Sequence, residues 1–116
     1  MINSKNIAKM LLASALFSTA LTAQAMPTSE VTFESGSNCG HYEGDLAGGR
    51  VFTLQLAKDQ QLVVSSDGHV QSVVDSKGTA LEDQGGANYR YVALHSGTHQ
   101  IKMAGRATSS ADFCIN

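Results

Sequence analysis

The sequence predicts an all-β protein: a small antiparallel β-sandwich or barrel of eight to nine short strands, following a cleaved signal peptide. Three observations predict it. Apolar residues downstream of residue 50 recur with a period of two, as on a strand with one face on a core. Gly, Asp, Ser and Asn clusters interrupt that pattern roughly every 8–12 residues, the spacing of short strands in sandwiches. No amphipathic helical pattern follows the leader.

The leader comes first. Met1 to Lys9 carries Lys5 and Lys9, an apolar run extends from Met10 to Ala23, and Ala23-Gln24-Ala25 closes it. A positive start, an apolar core and an Ala-x-Ala exit are the three parts of a secretory signal. Residues 1–25 are therefore expected to be the signal peptide, cut between Ala25 and Met26, with 26–116 a single β domain in the periplasm. The competing reading is a transmembrane anchor, which needs about 20 apolar residues. This run is shorter and contains Ser14, Ser18, Thr19 and Thr22.

Removing the leader changes the charge balance. The 116-residue chain has a net charge of −2, whereas 26–116 keeps 6 basic residues against 10 acidic ones, a charge of −4. With 42% apolar and 16% charged residues, the chain is neither disordered nor long enough for two domains. Its acidity argues against a nucleic-acid partner. Both cysteines, Cys39 and Cys114, lie in 26–116, and an oxidising compartment favours their pairing over two free thiols. No Cys-x-x-Cys spacing suggests redox chemistry.

The strands follow in order. Val31-Thr32-Phe33 is a plausible opening strand. Phe52, Leu54 and Leu56 alternate with Val51, Thr53 and Gln55; Leu62 and Val64 repeat the alternation beyond Lys58-Asp59-Gln60. Val70 to Val74 follows the Asp67-Gly68 turn, and Asp75-Ser76-Lys77-Gly78 reads as another turn, its Lys and its missing twelfth-position Glu excluding a calcium loop. Tyr89 to Leu94 and His99 to Ala104, joined through Ser96-Gly97, read as a β-hairpin. Asp112 to Ile115 closes the domain.

Catalytic and metal signatures are absent. His95 and His99 could approach each other across the hairpin mouth, but no third ligand is adjacent, so they read as polar residues at an exposed turn. No Gly-x-Ser-x-Gly elbow and no phosphate-binding glycine loop occurs. The chain is expected to be no enzyme and to use no cofactor or metal. Surface recognition remains. Gly85 and Gly86 lie in the longest stretch without alternation, and Asn88, Tyr89 and Arg90 follow with an amide, a phenol and a guanidinium. Tyr and Arg are the residue types most often found as binding anchors. The competing reading makes Tyr89 or Tyr91 core, since residues two apart on a strand share a face.

His41-Tyr42-Glu43-Gly44-Asp45-Leu46, followed by Val51 through Leu62, resembles the periplasmic inhibitors of g-type lysozyme. Those proteins have an aromatic-x-Gly-x-aliphatic strand and then an alternating strand ending in a Lys-Gly-Gln turn. Here Asp59 stands at the centre of that turn. The later stretch also resembles the small β-sandwich modules at the C-termini of secreted peptidases, which share the Asp-x-x-Gly turn of Asp75 to Gly78. Gly85-Gly86-Ala87-Asn88-Tyr89 is similar to the Ser-Gly-x-x-Tyr loop that inhibitors of c- and i-type lysozymes insert into the enzyme cleft, with Gly85 in place of Ser.

The resemblance implies a lysozyme inhibitor that blocks the active-site cleft, g-type being the favoured class, acting as a monomer or weak dimer. Its partner-binding residues would be Gly85, Gly86, Asn88, Tyr89 and Arg90. Lysozymes are generally basic, so a domain of charge −4 would be steered toward one. The alternative is a non-catalytic secreted β-sandwich module for glycan, envelope or protein contacts.

Overall fold

The computed structural model describes residues 26–116; the expected signal peptide and its expected cleavage after Ala25 lie outside the described residues. Eight strands form: β1 Thr28–Glu30, β2 Cys39–Gly44, β3 Arg50–Leu56, β4 Gln61–Ser66, β5 His69–Val74, β6 Tyr89–Val92, β7 Gly97–Ala104 and β8 Ser109–Ile115. They build two four-stranded sheets, one in the order β1-β3-β7-β5 and the other β2-β8-β4-β6. Every odd strand lies in the first sheet and every even strand in the second. Each connection therefore crosses from one sheet to the other, and no two consecutive strands pair.

This alternation corrects the hairpin expected at 89–104. β6 pairs with β4, through Leu62 opposite Tyr91, while β7 lies between β3 and β5, through Ile101 opposite both Phe52 and Val73. The reason is the burial demand of both segments. Tyr91 and Ala93 bury one face of the first, and His99, Ile101 and Met103 bury one face of the second. Placed in facing sheets, both faces reach the same core. The opening strand also lies earlier than expected: β1 runs parallel to β3 with Glu30 opposite Thr53, and pairing ends where the Val31 amide donates to the Thr53 carbonyl at 2.9 Å.

The period-two residues form the core as their spacing requires. Phe52, Leu54, Leu56, Ile101, Met103 and Val73 face inward from the first sheet; Leu62, Val64, Tyr91, Ala111 and Phe113 answer from the second. Phe52 and Phe113 meet between the sheets with ring centroids 4.9 Å apart, and Tyr42 packs edge-on to Phe52 at the same separation. Such aromatic pairs add about 0.5–1.5 kcal/mol beyond their area burial.

The fully buried Leu46 closes one end of the sandwich. Its amide donates to the Arg106 carbonyl, and its own carbonyl accepts from Gly49 and Gly105. Above it the β4–β5 and β7–β8 crossovers pass so closely that a Cβ on Gly68 would lie 2.6 Å from the Ala104 carbonyl oxygen. Glycine is required there by space.

Cys39 and Cys114 are bonded, with Cα atoms 4.0 Å apart on directly opposed positions of β2 and β8. The bridge lies on the outer face of the second sheet. It staples the last strand to the second strand of the chain, across a sequence separation of 75.

At the Lys58-Asp59-Gln60 turn, Asp59 adopts φ 73°, making it the single non-glycine residue with positive φ among the described residues. The Gln60 side chain braces the turn by accepting from the Ala57 amide at 2.9 Å. Asp is among the few residues that tolerate this conformation locally.

Candidate functional site

The 82–90 segment is the most exposed continuous surface attached to the second sheet; every residue from Glu82 to Asn88 is exposed. Its shape is nevertheless fixed from within. The Asp83 carboxylate accepts from the backbone amides of Gly85 and Arg90, each at 3.0 Å, so one oxygen ties both ends of the loop. The Gln84 amide donates to the Arg90 carbonyl at 2.7 Å, laying the loop along the outer edge of β6. Gly85 and Gly86 take φ of 91° and 105°, conformations that L side chains rarely adopt, which is why two glycines stand at the tip. The two amide donors hold the Asp83 carboxyl below the usual carboxylate range, and the pin persists as the solution is acidified.

Arg90 and Tyr89 point to opposite sides of β6. Arg90 stands on the outer face opposite Val63, and its guanidinium lies 4.0 Å from where a Cβ on Gly86 would be. The cation and the glycine tip therefore form one surface. Tyr89 shares the inner face with Tyr91 and packs, half-buried, against the core. Its ring supports the loop from below. Burial, and next the nearby Asp83 charge, push the buried Tyr91 phenol up to about 12, so it stays neutral.

A second device anchors the approach to the loop. The Asp75 side chain is fully buried; one of its oxygens accepts from the Lys77 and Thr79 amides at 2.9 Å, and the other meets His95 Nδ1 at 2.7 Å. Hydrogen bonding from His95, reinforced by the two amides, lowers the Asp75 pKa to about 2. The expected Asp75-Ser76-Lys77-Gly78 turn is formed by these bonds. The Leu81 amide then donates to Val73 at 2.8 Å, and beyond it a shallow groove of about 310 Å³ is lined by Ala80, Leu81, Glu82, Gln84, Val92 and the half-exposed Leu94. Sequence reasoning missed this groove because Leu94 falls after the strand, where alternation stops.

The histidines do not converge. His95 serves Asp75, whereas His99, expected at an exposed turn, is fully buried among the inward residues of β7. Its Nδ1 donates to the Gly97 carbonyl at 3.0 Å, and its Nε2 has no partner among the described residues. Its two-residue spacing to Ile101 and Met103 was the signal for this placement. His41 is exposed on β2, 2.7 Å from Asp112 and 3.7 Å from Glu43; the hydrogen bond to Asp112 is the main cause of its raised pKa. Among the described residues no three His, Cys, Asp or Glu side chains gather as a metal site requires. No helix of the described residues is long and apolar enough to cross a membrane.

No family model matches the sequence, and no curated protein matches it either. Solved structures do match. The chain is similar to PliG of Salmonella Typhimurium, a periplasmic inhibitor of g-type lysozyme, at 19% identity and TM-score 0.61, over 79% of this chain and 100% of that one. The Aeromonas hydrophila PliG gives 16% identity and TM-score 0.59 over 78% of this chain and 97% of that one. A mutant of the Escherichia coli protein gives 16% and 0.56 over 79% and 100%. At such identity the likeness establishes architecture: the chain has the all-β fold of the periplasmic g-type lysozyme inhibitors.

Proposed function

We propose that the domain is a periplasmic inhibitor of g-type lysozyme that binds the enzyme and occludes its active-site cleft without doing chemistry itself. The observation that carries this reading is the fold likeness over the full length of inhibitor chains, 100% of the Salmonella protein and 97% of the Aeromonas one. The resemblance of His41 to Leu46 and of Val51 to Leu62 to that group arises independently, from the sequence.

The contact surface in this proposal is Gly85, Gly86, Asn88 and Arg90, with Tyr89 holding the loop from beneath. Three features suit it to inhibition. The Asp83 pin and the two glycines fix the loop before binding, which lowers the ordering cost of association. The Arg90 guanidinium can engage a carboxylate with two parallel hydrogen bonds, the group a lysozyme cleft supplies. The charge of −4 on 26–116 favours encounter with a basic enzyme and makes association weaken as salt rises.

The test is a lysis assay with oxidised 26–116 and purified g-, c- and i-type lysozymes. The proposal expects g-type lysis to be suppressed at micromolar protein while the other two classes proceed. Unhindered g-type lysis overturns it. Retention of the protein on an envelope glycan in that case would favour a secreted binding module instead.

A further inference from the structure

Three of the four sheet edges are short or covered. β1 has three residues; the β5 edge is covered by the Leu81-to-Val73 bond and the Val74–Ala80 bridge; the β6 edge is covered by the 82–90 loop. β2 is different. It is six residues long, and among the described residues its outer edge has no backbone partner.

The ladder with β8 shows which groups that edge presents. The Ile115 amide donates to the Asn38 carbonyl at 2.9 Å, so Asn38, Gly40, Tyr42 and Gly44 are the positions that bond to β8. The close Cα approach of Cys39 and Cys114, 4.0 Å, marks the alternate positions as the non-bonded pairs. Cys39, His41 and Glu43 therefore turn their N–H and C=O groups away from β8. Ser37 caps Cys39, its hydroxyl accepting from the Cys39 amide at 3.0 Å and donating to the Cys39 carbonyl at 3.2 Å. His41 and Glu43 are left with both backbone groups open.

We propose that β2 is a self-association edge, on which a second copy of this chain pairs antiparallel about a two-fold axis at Tyr42, with His41 of each copy opposite Glu43 of the other. Strand parity and the Ser37 cap select this register. Centring the axis on His41 would waste the Glu43 groups on the capped Cys39; centring it on Glu43 would place like charges face to face. With the axis at Tyr42, all open groups of His41 and Glu43 are bonded, Gly40 and Gly44 bring no side chain of their own to the seam, and opposite charges meet twice. Cross-strand pairs of opposite charge stabilise antiparallel ladders, and like pairs do the reverse.

The groups facing His41 are Asp112 and Glu43 on its own sheet and Glu34, which lines the same cleft. All three are acids, so His41 carries its charge more readily than a free imidazole. Association therefore tightens as pH falls toward about 6. A single-edge interface belongs to the weak, transient class below the roughly 1,200–2,000 Å² of stable complexes, so association is expected only at high protein concentration. The proposal is independent of the lysozyme reading. The 82–90 loop lies beyond β6, which is itself about 14 Å from β2 by strand spacing at the opposite edge of the same sheet, and stays free in the pair.

Sedimentation equilibrium from about 10 µM to about 1 mM, at about pH 6 and about pH 8, tests it. The proposal expects mass rising toward the dimer with concentration, more strongly at the lower pH. His41→Glu should remain monomeric, and the swapped His41→Glu/Glu43→His variant should recover association. His41→Pro removes an edge-facing donor while leaving the β8 ladder intact, and should also be monomeric. Thermal melts of each variant establish that it is folded; should His41→Pro unfold, the charge reversal and its rescue decide. A wild-type monomer at the highest concentration, or a dimer untouched by His41→Glu, overturns the proposal.

Discussion

Replacing both cysteines with alanine, Cys39→Ala/Cys114→Ala, should remove a large share of the stability of this domain. The bridge spans a separation of 75 residues, and the loop-closure entropy released to the unfolded chain is then about 4 kcal/mol at 25 °C. Domains of this size are stable by roughly 5–15 kcal/mol, so about a quarter or more of the total is at stake. Native packing adds little to the loss, because both cysteines are half-buried on the outer face of the sheet and the β2–β8 ladder remains. In thermal terms the shift is roughly 15–30 °C. Urea unfolding can be followed by tyrosine fluorescence, since the chain has 3 Tyr and no Trp. Wild type under reducing conditions should unfold with the alanine variant. A loss below about 1 kcal/mol would refute the reasoning, because it would mean that the unfolded chain gains almost no freedom when the bridge is absent.

Other outcomes follow from particular contacts. The folded-state pKa of Asp75 is lowered to about 2, so the pair with His95 stabilises the fold above the ordinary carboxylate range, and that contribution disappears as pH falls toward 2. The melting-temperature gap between wild type and His95→Ala should accordingly narrow on acidification from about pH 5 to about pH 2. Asp59→Gly should be neutral to stabilising by up to about 1 kcal/mol in urea melts, since Asp59 holds φ 73°. Phe113→Ala, which empties the contact between the two sheets, should cost about 3–5 kcal/mol in the same assay. Arg90→Ala should weaken lysozyme inhibition about tenfold or more with little change in melting temperature, whereas Tyr89→Ala should lower both, because its ring rests on the core.

Period two revealed which residues face inward; the even cysteine count, with the expected export, pointed to the pair that is bonded. Phe52, Leu54 and Leu56 could hardly be placed otherwise. Partner choice is a different matter, because alternation specifies a face and says nothing about the neighbour. Tyr89 to Ala104 looks like a hairpin for that reason, although its two strands complete opposite sheets. β1 was illegible: Thr28-Ser29-Glu30 has no apolar residue, and its short parallel pairing to β3 follows from the packing of the neighbouring Val31 and Phe33 against the core. At the candidate site, Gly85 and Gly86 were legible as turn formers. Asp83 was not, since its role depends on the Gly85 and Arg90 amides meeting at one oxygen. The inward side of Tyr89 could have been taken from Tyr91, two residues on. His99 was misplaced by its polarity, although Ile101 and Met103 continue its row.

The proposal that this domain inhibits g-type lysozyme is tested most directly by equilibrium titration of g-type lysozyme activity on cell walls with oxidised 26–116, alongside Arg90→Ala. Dose-dependent loss of lysis at micromolar protein, weaker at high salt and weaker again for Arg90→Ala, is the expected result. Undiminished g-type lysis at every concentration, with the protein folded and its disulfide intact, would contradict it.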